Sequence, residues 1–229
     1  MSFDNQTIRG PSRRAFVLGG VGIMGLAVSG CSTAATRTVA ISDPAETRRY
    51  ALMYGPMPDE QFPIPGIDVD KIPPRFRRQR VDFNTTEKPG TIVVNTSTFY
   101  LHFVEPDGKA MRYGVGLGRA GFEWSGRAIV GWKRPWPTWT PPSDMIARQP
   151  ELQKYSAENG GMQPGLDNPL GARALYIFQN NKDTLYRIHG TPEYWTIGKA
   201  VSSGCVRMIN QDVIDLYTRV PPRAPILVI

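Results

Sequence analysis

The residues best suited to nucleophilic chemistry are scarce in this chain, and two of them lie close together. Of two cysteines and two histidines in 229 residues, Cys205 and His189 both fall within IHGTPEYWTIGKAVSSGCVRM (188–208), each beside a glycine. A thiol becomes a competent nucleophile when a base removes its proton, and histidine is the side chain that titrates nearest neutral pH. His189 closes a strand-like run and can serve as that base. No Asp or Asn is evident to fix its tautomer, so a backbone carbonyl is left for that task. Gly204 permits a close backbone approach, and Arg207 can grip a carboxylate with two parallel hydrogen bonds. The run NQDVIDLYTRV, with Asn210 as cap, follows the cysteine closely. Its helix N-terminus is expected to favour a thiolate and a developing oxyanion. Against this stand blander readings: a lone cysteine is commonly a small core residue, and a lone histidine is commonly structural. His102, in the alternating stretch YLHFVEP, is read as structural. Two distant histidines and one thiol give no metal-ligand spacing. A phosphatase loop, Cys-x5-Arg, fails because position 211 is Gln.

The N-terminus favours a chemical role for Cys205. Adjacent Arg13 and Arg14 precede an uncharged run from Ala15 to Gly30, which suits a signal-peptide core and is short for a membrane span of ~20 residues. SRRAF resembles a twin-arginine export signal. VSGC (28–31) resembles a lipobox, which would make Cys31 a lipid-anchored first residue; cleavage after STA (32–34) would discard it instead. Either way an exported chain meets an oxidising compartment with Cys205 as its one remaining thiol. Gly20, Gly22 and Gly25 spell a dinucleotide fingerprint, as do Gly116, Gly118 and Gly121. Neither sits between a strand and a helix, so neither is read as a phosphate site.

The formal charge is +7, of which +2 lies in residues 1–30 (Arg9, Arg13 and Arg14 against Asp4), leaving +5 beyond. Export and the lack of a base-reading motif exclude nucleic acid as a partner; anionic envelope polymers or lipids suit the charge. Residues 32–90 carry eight prolines and little periodicity, and read as an arm or linker, either an extended tether or a segment lying on the domain. Its basic cluster RFRRQR (75–80) is expected to be a solvated turn. From Thr91 onward, β-branched and aromatic residues alternate. Pro106-Asp107-Gly108 and NNKD (180–183) read as turns, and GRAIVGW, ARALYIF, TLYRIHG and PILVI as strands. Helices are expected within 143–157, interrupted at Pro150, and over NQDVIDLYTRV, where Val213, Ile214, Leu216 and Tyr217 make an apolar stripe. Residues 91–229 thus form one mainly β domain.

HGT (189–191), IG (197–198), SSGCVRM (202–208), Asn210, Asp212 and DLY (215–217) resemble the catalytic signature of the L,D-transpeptidases, the YkuD family. WTPP (139–142) and DNPLGARALYIF (167–178) extend the resemblance to about residues 91–229, within the ErfK/YbiS-like subgroup. Ser203 stands where many members have His. The resemblance implies a YkuD-type β-sandwich domain that needs no cofactor and no metal. It implies a signal peptide over 1–31, an arm over 32–90 and a catalytic domain over 91–229. Cys205 would attack the L-centre carbonyl of the third residue of a peptidoglycan tetrapeptide stem and release D-alanine. The acyl-enzyme would pass to an amine, giving a 3–3 cross-link or attachment of an outer-membrane protein. His189 would be general acid and base, the Gly190 carbonyl would orient it, and the Gly204 and Cys205 N–H groups would form an oxyanion hole. Arg207, Ser203, Thr191 and Trp195 would contact substrate. The tryptophan-rich GWKRPWPTWTPP (131–142) and EYW (193–195) wall a cleft or simply pack; GGMQPGLDNPLG (160–171) faces substrate or is a long turn. Competing readings are an L,D-carboxypeptidase or endopeptidase that uses water, and a non-catalytic peptidoglycan-binding envelope protein. The expected location is the periplasm or cell envelope.

Overall fold

Val-, Ile-, Tyr- and Phe-rich runs punctuated by Pro-Asp-Gly and Asn-Asn dictate antiparallel hairpins. A computed structural model, which describes residues 43–118, 125–202 and 204–229, contains them. Its strands are β1 (Gln79–Asp82), β2 (Ile92–Asn95), β3 (Tyr100–Glu105), β4 (Lys109–Gly114), β5 (Leu117–Gly118), β6 (Gly126–Pro135), β7 (Arg173–Gln179), β8 (Lys182–Thr191), β9 (Ala200–Ser202), β10 (Val206–Ile209) and β11 (Pro225–Val228). The helices are α1 (Pro44–Met53), α2 (Ser143–Arg148) and α3 (Asn210–Arg219), with short 3-10 turns between elements. Nine strands bond edge to edge in the order β1-β4-β3-β2-β11-β6-β7-β8-β10. β5 and β9 form a separate short parallel pair. The mainly β class expected from the sequence is the class found.

Turn chemistry sets the hairpins. Asn180 and Asn181 have φ of 50° and 61°, the left-handed pair whose twist matches that of the flanking strands β7 and β8. Asp107 and Gly108 do the same between β3 and β4, with φ of 59° and 65°. Val94, Leu101 and Tyr113 from one half of the sheet share a core with Val130, Leu175, Ile188 and Val206 from the other. The sheet therefore curls so that both halves face common apolar ground. Val213 and Leu216, from the expected stripe of α3, are fully buried in that core. The helical candidate at 143–157 is α2 followed by a 3-10 turn from Pro150 to Tyr155, as the proline requires.

Residues 43–90 lie on this β domain, and residues 42–229 form one compact unit. Asp43 caps α1, accepting from the Ala45 N–H at 2.9 Å, and Pro44 sits in its first turn. Tyr50, Tyr54, Ile72 and Phe76 from this segment bury against Ile197 and Ile209. Trp136 docks a second stretch: its Nε1 donates to Glu60 at 3.0 Å, its ring meets Phe62 edge-on, and Arg173 reaches the other Glu60 oxygen at 2.6 Å. Gln211 Nε2 donates to the carbonyls of Gly55 and Pro65. The basic cluster is not the solvated turn expected. The side chains of Arg77 and Arg78 are only 15% and 11% exposed. Arg77 donates to the Ile72 and Val69 carbonyls, and Arg78 pairs with Asp212 and Asp215 of α3. The export leader and Cys31, within residues 1–34, lie outside the described residues. Among the described residues, no helix is long and apolar enough to cross a membrane.

Candidate active site

β8 and β10 run parallel and side by side, with Arg207 opposite His189 and Val206 opposite Ile188. Cys205 immediately precedes β10, so it stands beside Arg187, the residue before Ile188. Alternation along a strand places Arg187, His189 and Thr191 on one face. Cys205 and Arg207 lie on that same face of the neighbouring strand. The structure thus brings the cysteine and the histidine together through sheet register.

The loop carrying the thiol is held from both sides. Gly116 and Arg207 exchange backbone hydrogen bonds of 2.9 and 2.8 Å, and the Leu117 N–H donates to the Lys199 carbonyl at 3.0 Å. A side chain at Gly116 would meet the Thr196 carbonyl at 3.1 Å, so glycine permits this contact. Gly204 has φ +134°, where only glycine is comfortable, and the Tyr186 ring lies 3.3 Å from where a Cβ would sit. Gly204→Ala is therefore expected to cost about 1–3 kcal/mol. The melting midpoint should fall by roughly 2–10 °C, read by circular dichroism; an unchanged midpoint would remove the strain from this account.

His189 is buried, and its Nδ1 lies 2.6 Å from the Gly190 carbonyl. A carbonyl only accepts, so Nδ1 carries the proton and Nε2 keeps its lone pair. Burial pushes the imidazole pKa down to about 4, with the Arg207 and Arg187 charges adding to the shift against the raising effect of the Gly190 bond. Burial also raises the Cys205 thiol; the Arg187 backbone N–H and the Arg187 and Arg207 charges pull it partly back. At neutral pH both groups are therefore uncharged at rest.

One expectation is corrected. The four-residue strand β10 separates Cys205 from α3, whose N-cap is Ile209. Asn210 does not cap the helix; its Oδ1 accepts from the Ala172 N–H at 2.9 Å. At about 3.3 Å per strand residue, the helix N-terminus is too far along the chain to act on the sulfur. The positive environment comes instead from Arg187 and Arg207.

The remaining sequence candidates disperse around this pair. Arg207 Nη1 bonds Glu193 at 2.9 Å, which braces the 193–196 turn. The Thr191 hydroxyl accepts from the Glu193 N–H at 3.1 Å. Thr191 also lines a cavity of about 300 Å³ with Tyr194, Asn210 and Gln211, closed by Ile64 and Ile67 of the N-terminal segment. Trp195 is 52% exposed and meets Tyr194 edge-on. Ser203 lies outside the described residues. His102 stacks on Phe83 at 4.2 Å on β3, remote in register from β8. Asn168 organises the 160–171 loop, its Nδ2 donating to the carbonyls of Pro137, Met162 and Gln163. Of the tryptophans, Trp136 is buried against the N-terminal segment, whereas Trp132 is 43% exposed and stacks on Tyr176 at 3.5 Å. Sequence reasoning missed Arg187 and Glu193. The signal for Arg187 was present: in TLYRIHG it stands two residues before His189, hence on the same strand face.

Comparison with known proteins identifies a family over the same residues. A family model described as the L,D-transpeptidase catalytic domain (YkuD) matches residues 89–228. The chain is 36% identical over 138 residues to the probable L,D-transpeptidase ErfK/SrfK of Escherichia coli strain K12, covering 57% of this chain and 41% of that protein. It is 36% identical over 137 residues to the probable L,D-transpeptidase YbiS of the same strain, with the same coverage. The chain thus spans less than half the length of these relatives. A solved structure from Brucella melitensis, described as a probable carnitine operon oxidoreductase, is 48% identical, with 67% of this chain and 94% of that one covered and a TM-score of 0.48. Oxidoreductase is said of that protein and not of this one. With that match over more than half of its length, and with His189 and Cys205 inside the matched residues, the chain belongs to the YkuD family of L,D-transpeptidase catalytic domains.

Proposed function

We propose that the protein is an L,D-transpeptidase acting on peptidoglycan stem peptides. The observation that carries this reading is the buried His189, whose Nδ1–H donates to the Gly190 carbonyl at 2.6 Å and whose strand pairs with the strand that Cys205 immediately precedes. That bond aims an uncharged Nε2 lone pair for proton abstraction. The sulfur attacks the carbonyl of the third stem residue as its proton passes to Nε2. The Gly204 and Cys205 N–H groups receive the oxyanion. The tetrahedral species collapses by breaking the bond to D-alanine, whose amine takes the proton from the imidazolium, and a thioester remains. An incoming amine attacks it, gives its proton to His189 and takes the acyl group; the imidazolium returns the proton to sulfur. Aminolysis gives a 3–3 cross-link or an attached outer-membrane protein, and water gives the carboxypeptidase outcome. Residues 1–31 act as an export leader to the periplasm, with Cys31 as the lipid-anchored residue.

The test is to incubate the full chain, wild type and Cys205→Ala, with purified disaccharide-tetrapeptide and to analyse products by mass spectrometry. D-Alanine release that needs Cys205, with a dimer one D-alanine lighter than two monomers, is expected. Tripeptide alone would select the hydrolase. No product from folded wild type would remove the enzymatic reading.

A further inference from the structure

A single row of side chains crosses the sheet and ends at the thiol. Trp132 on β6 is opposite Tyr176 on β7, and Tyr176 is opposite Arg187 on β8. Cys205 follows by the β8–β10 register. The first two rings stack with planes 10° apart, and the Arg187 guanidinium lies over Tyr176 at 4.4 Å.

The local chain path is built around this guanidinium. The β7–β8 pairing breaks between Tyr176↔Arg187 and Phe178↔Asp183, so Ile177 alone faces residues 184–186. Such a bulge re-aims a strand. Here it requires Leu185 at φ 65° and leaves its side chain 77% exposed, both unfavourable by themselves. What the bulge achieves is to bring Asp183 back onto Arg187 as a two-pronged pair, Nη1 at 2.6 Å and Nη2 at 2.8 Å. Nη1 also donates to the Tyr186 carbonyl at 2.9 Å. The guanidinium is thus gripped on its edge and on its face, and only 15% of the side chain is exposed. Donors so committed do not suit a substrate clamp. They suit a fixed positive charge.

We propose that Arg187 is a positioning residue for Cys205. Its backbone N–H and its immobilised charge hold the sulfur and favour the thiolate as the proton leaves. The groups facing Cys205 are Arg187 and His189 from β8 and Arg207 from β10, with Asp183 and Glu193 as counter-charges behind the two arginines. Against the raising effect of burial, the Arg187 backbone N–H and the Arg187 and Arg207 charges all pull the thiol pKa down. The inference rests on the transpeptidase reading only for its purpose; the ionisation itself can be read without substrate.

The experiment follows iodoacetamide alkylation of the full chain from pH 6 to 10.5, resolved by mass spectrometry at the Cys205 peptide so that Cys31 does not interfere. Arg187→Met is expected to move the alkylation midpoint up by about one unit, about tenfold slower at pH 7.5. Arg187→Lys should recover at least half the shift. Asp183→Asn removes the counter-charge, keeps the shape and should move the midpoint down, which preserves the test if Arg187→Met does not fold. A purely structural Arg187 would reduce the reactive fraction and leave every midpoint at the wild-type value, and that result overturns the proposal, as does an upward shift in Asp183→Asn. Midpoints that move as expected alongside an inactive wild type would sink the transpeptidase reading and spare this one.

Discussion

His189→Ala is expected to slow D-alanine release by about 10³–10⁴-fold, the upper part of the range for general acid–base catalysis. The effect is large because, in the proposed reaction, one imidazole serves every proton transfer. It takes the thiol proton, protonates the leaving amine, and accepts the proton of the incoming amine. Among the described residues, His189 is the histidine on the Cys205 side of the sheet; His102 is on β3, stacked on Phe83. His189→Gln preserves volume and a hydrogen bond but supplies no base, so it should match the alanine variant. If Gln retained a tenth of wild-type rate, the imidazole would be an orienting group and not the base. Burial also fixes the pH profile. With His189 held to about 4, the acid limb of kcat/KM should fall near pH 4 and not near the ordinary 6.5, with activity sustained between. An acid limb near 6.5 would mean that water reaches the ring and that its neutrality at rest is not enforced by the fold.

The hairpins and the shared strand face of the candidate site are legible because their signals are local. Asn180-Asn181 demands left-handed backbone, Pro-Asp-Gly demands a turn, and a histidine ending a β-branched run shares a face with residues two positions away. Short or distant features were not legible. VRMI (206–209) is too brief to separate a strand from the first turn of the helix that follows, so sequence alone puts the helix against Cys205 with Asn210 as its cap. The pairing of β10 with β8 and Gly116 decides otherwise, and that pairing is set by chain remote in sequence. For the N-terminal segment, sequence leaves a tether and a segment lying on the domain both open for the same reason. Proline density describes its own backbone, whereas its fixed points are long-range: Tyr54 bonds Asp212 across 158 positions, and Arg173 bonds Glu60 across 113. RFRRQR reads as solvated when its partners, Asp212 and Asp215, cannot be seen.

Those partners carry the second large effect. Asp212 is fully buried, accepts from the Tyr54 hydroxyl at 3.3 Å and has Arg78 Nε at 3.4 Å. The Tyr54 hydroxyl in turn accepts from the Arg78 backbone N–H at 2.6 Å. Among the described residues neither Arg78 Nη1 nor Asp212 Oδ1 has a well-aligned hydrogen bond, although Nη1 lies 2.8 Å from Asp215 Oδ1, so charge more than directed bonding joins the three side chains. Burial pushes the Asp212 carboxyl up to about 7, although Arg78 and Tyr54 pull it down. A carboxyl raised in the fold favours folding at low pH and loses that contribution as pH rises through its folded pKa. Arg78→Met removes the nearest positive charge and raises Asp212 further. Its cost should therefore grow with pH: about 3–5 kcal/mol at pH 8.5, the size for breaking a buried pair, and clearly less at pH 5.5, where Asp212 is protonated in wild type and variant alike. In a domain of this size that is a loss of roughly 10 °C in melting temperature at the higher pH. An equal loss at both pH values would assign Arg78 a packing role instead. The segment tied down by Arg78 and Tyr54 also supplies Ile64 and Ile67 to the cavity lined by Thr191, two residues beyond His189 on β8. Arg78→Met at high pH should raise KM more than it lowers kcat, since it loosens a wall of that cavity and leaves His189 on β8 and Cys205 immediately before β10 in place.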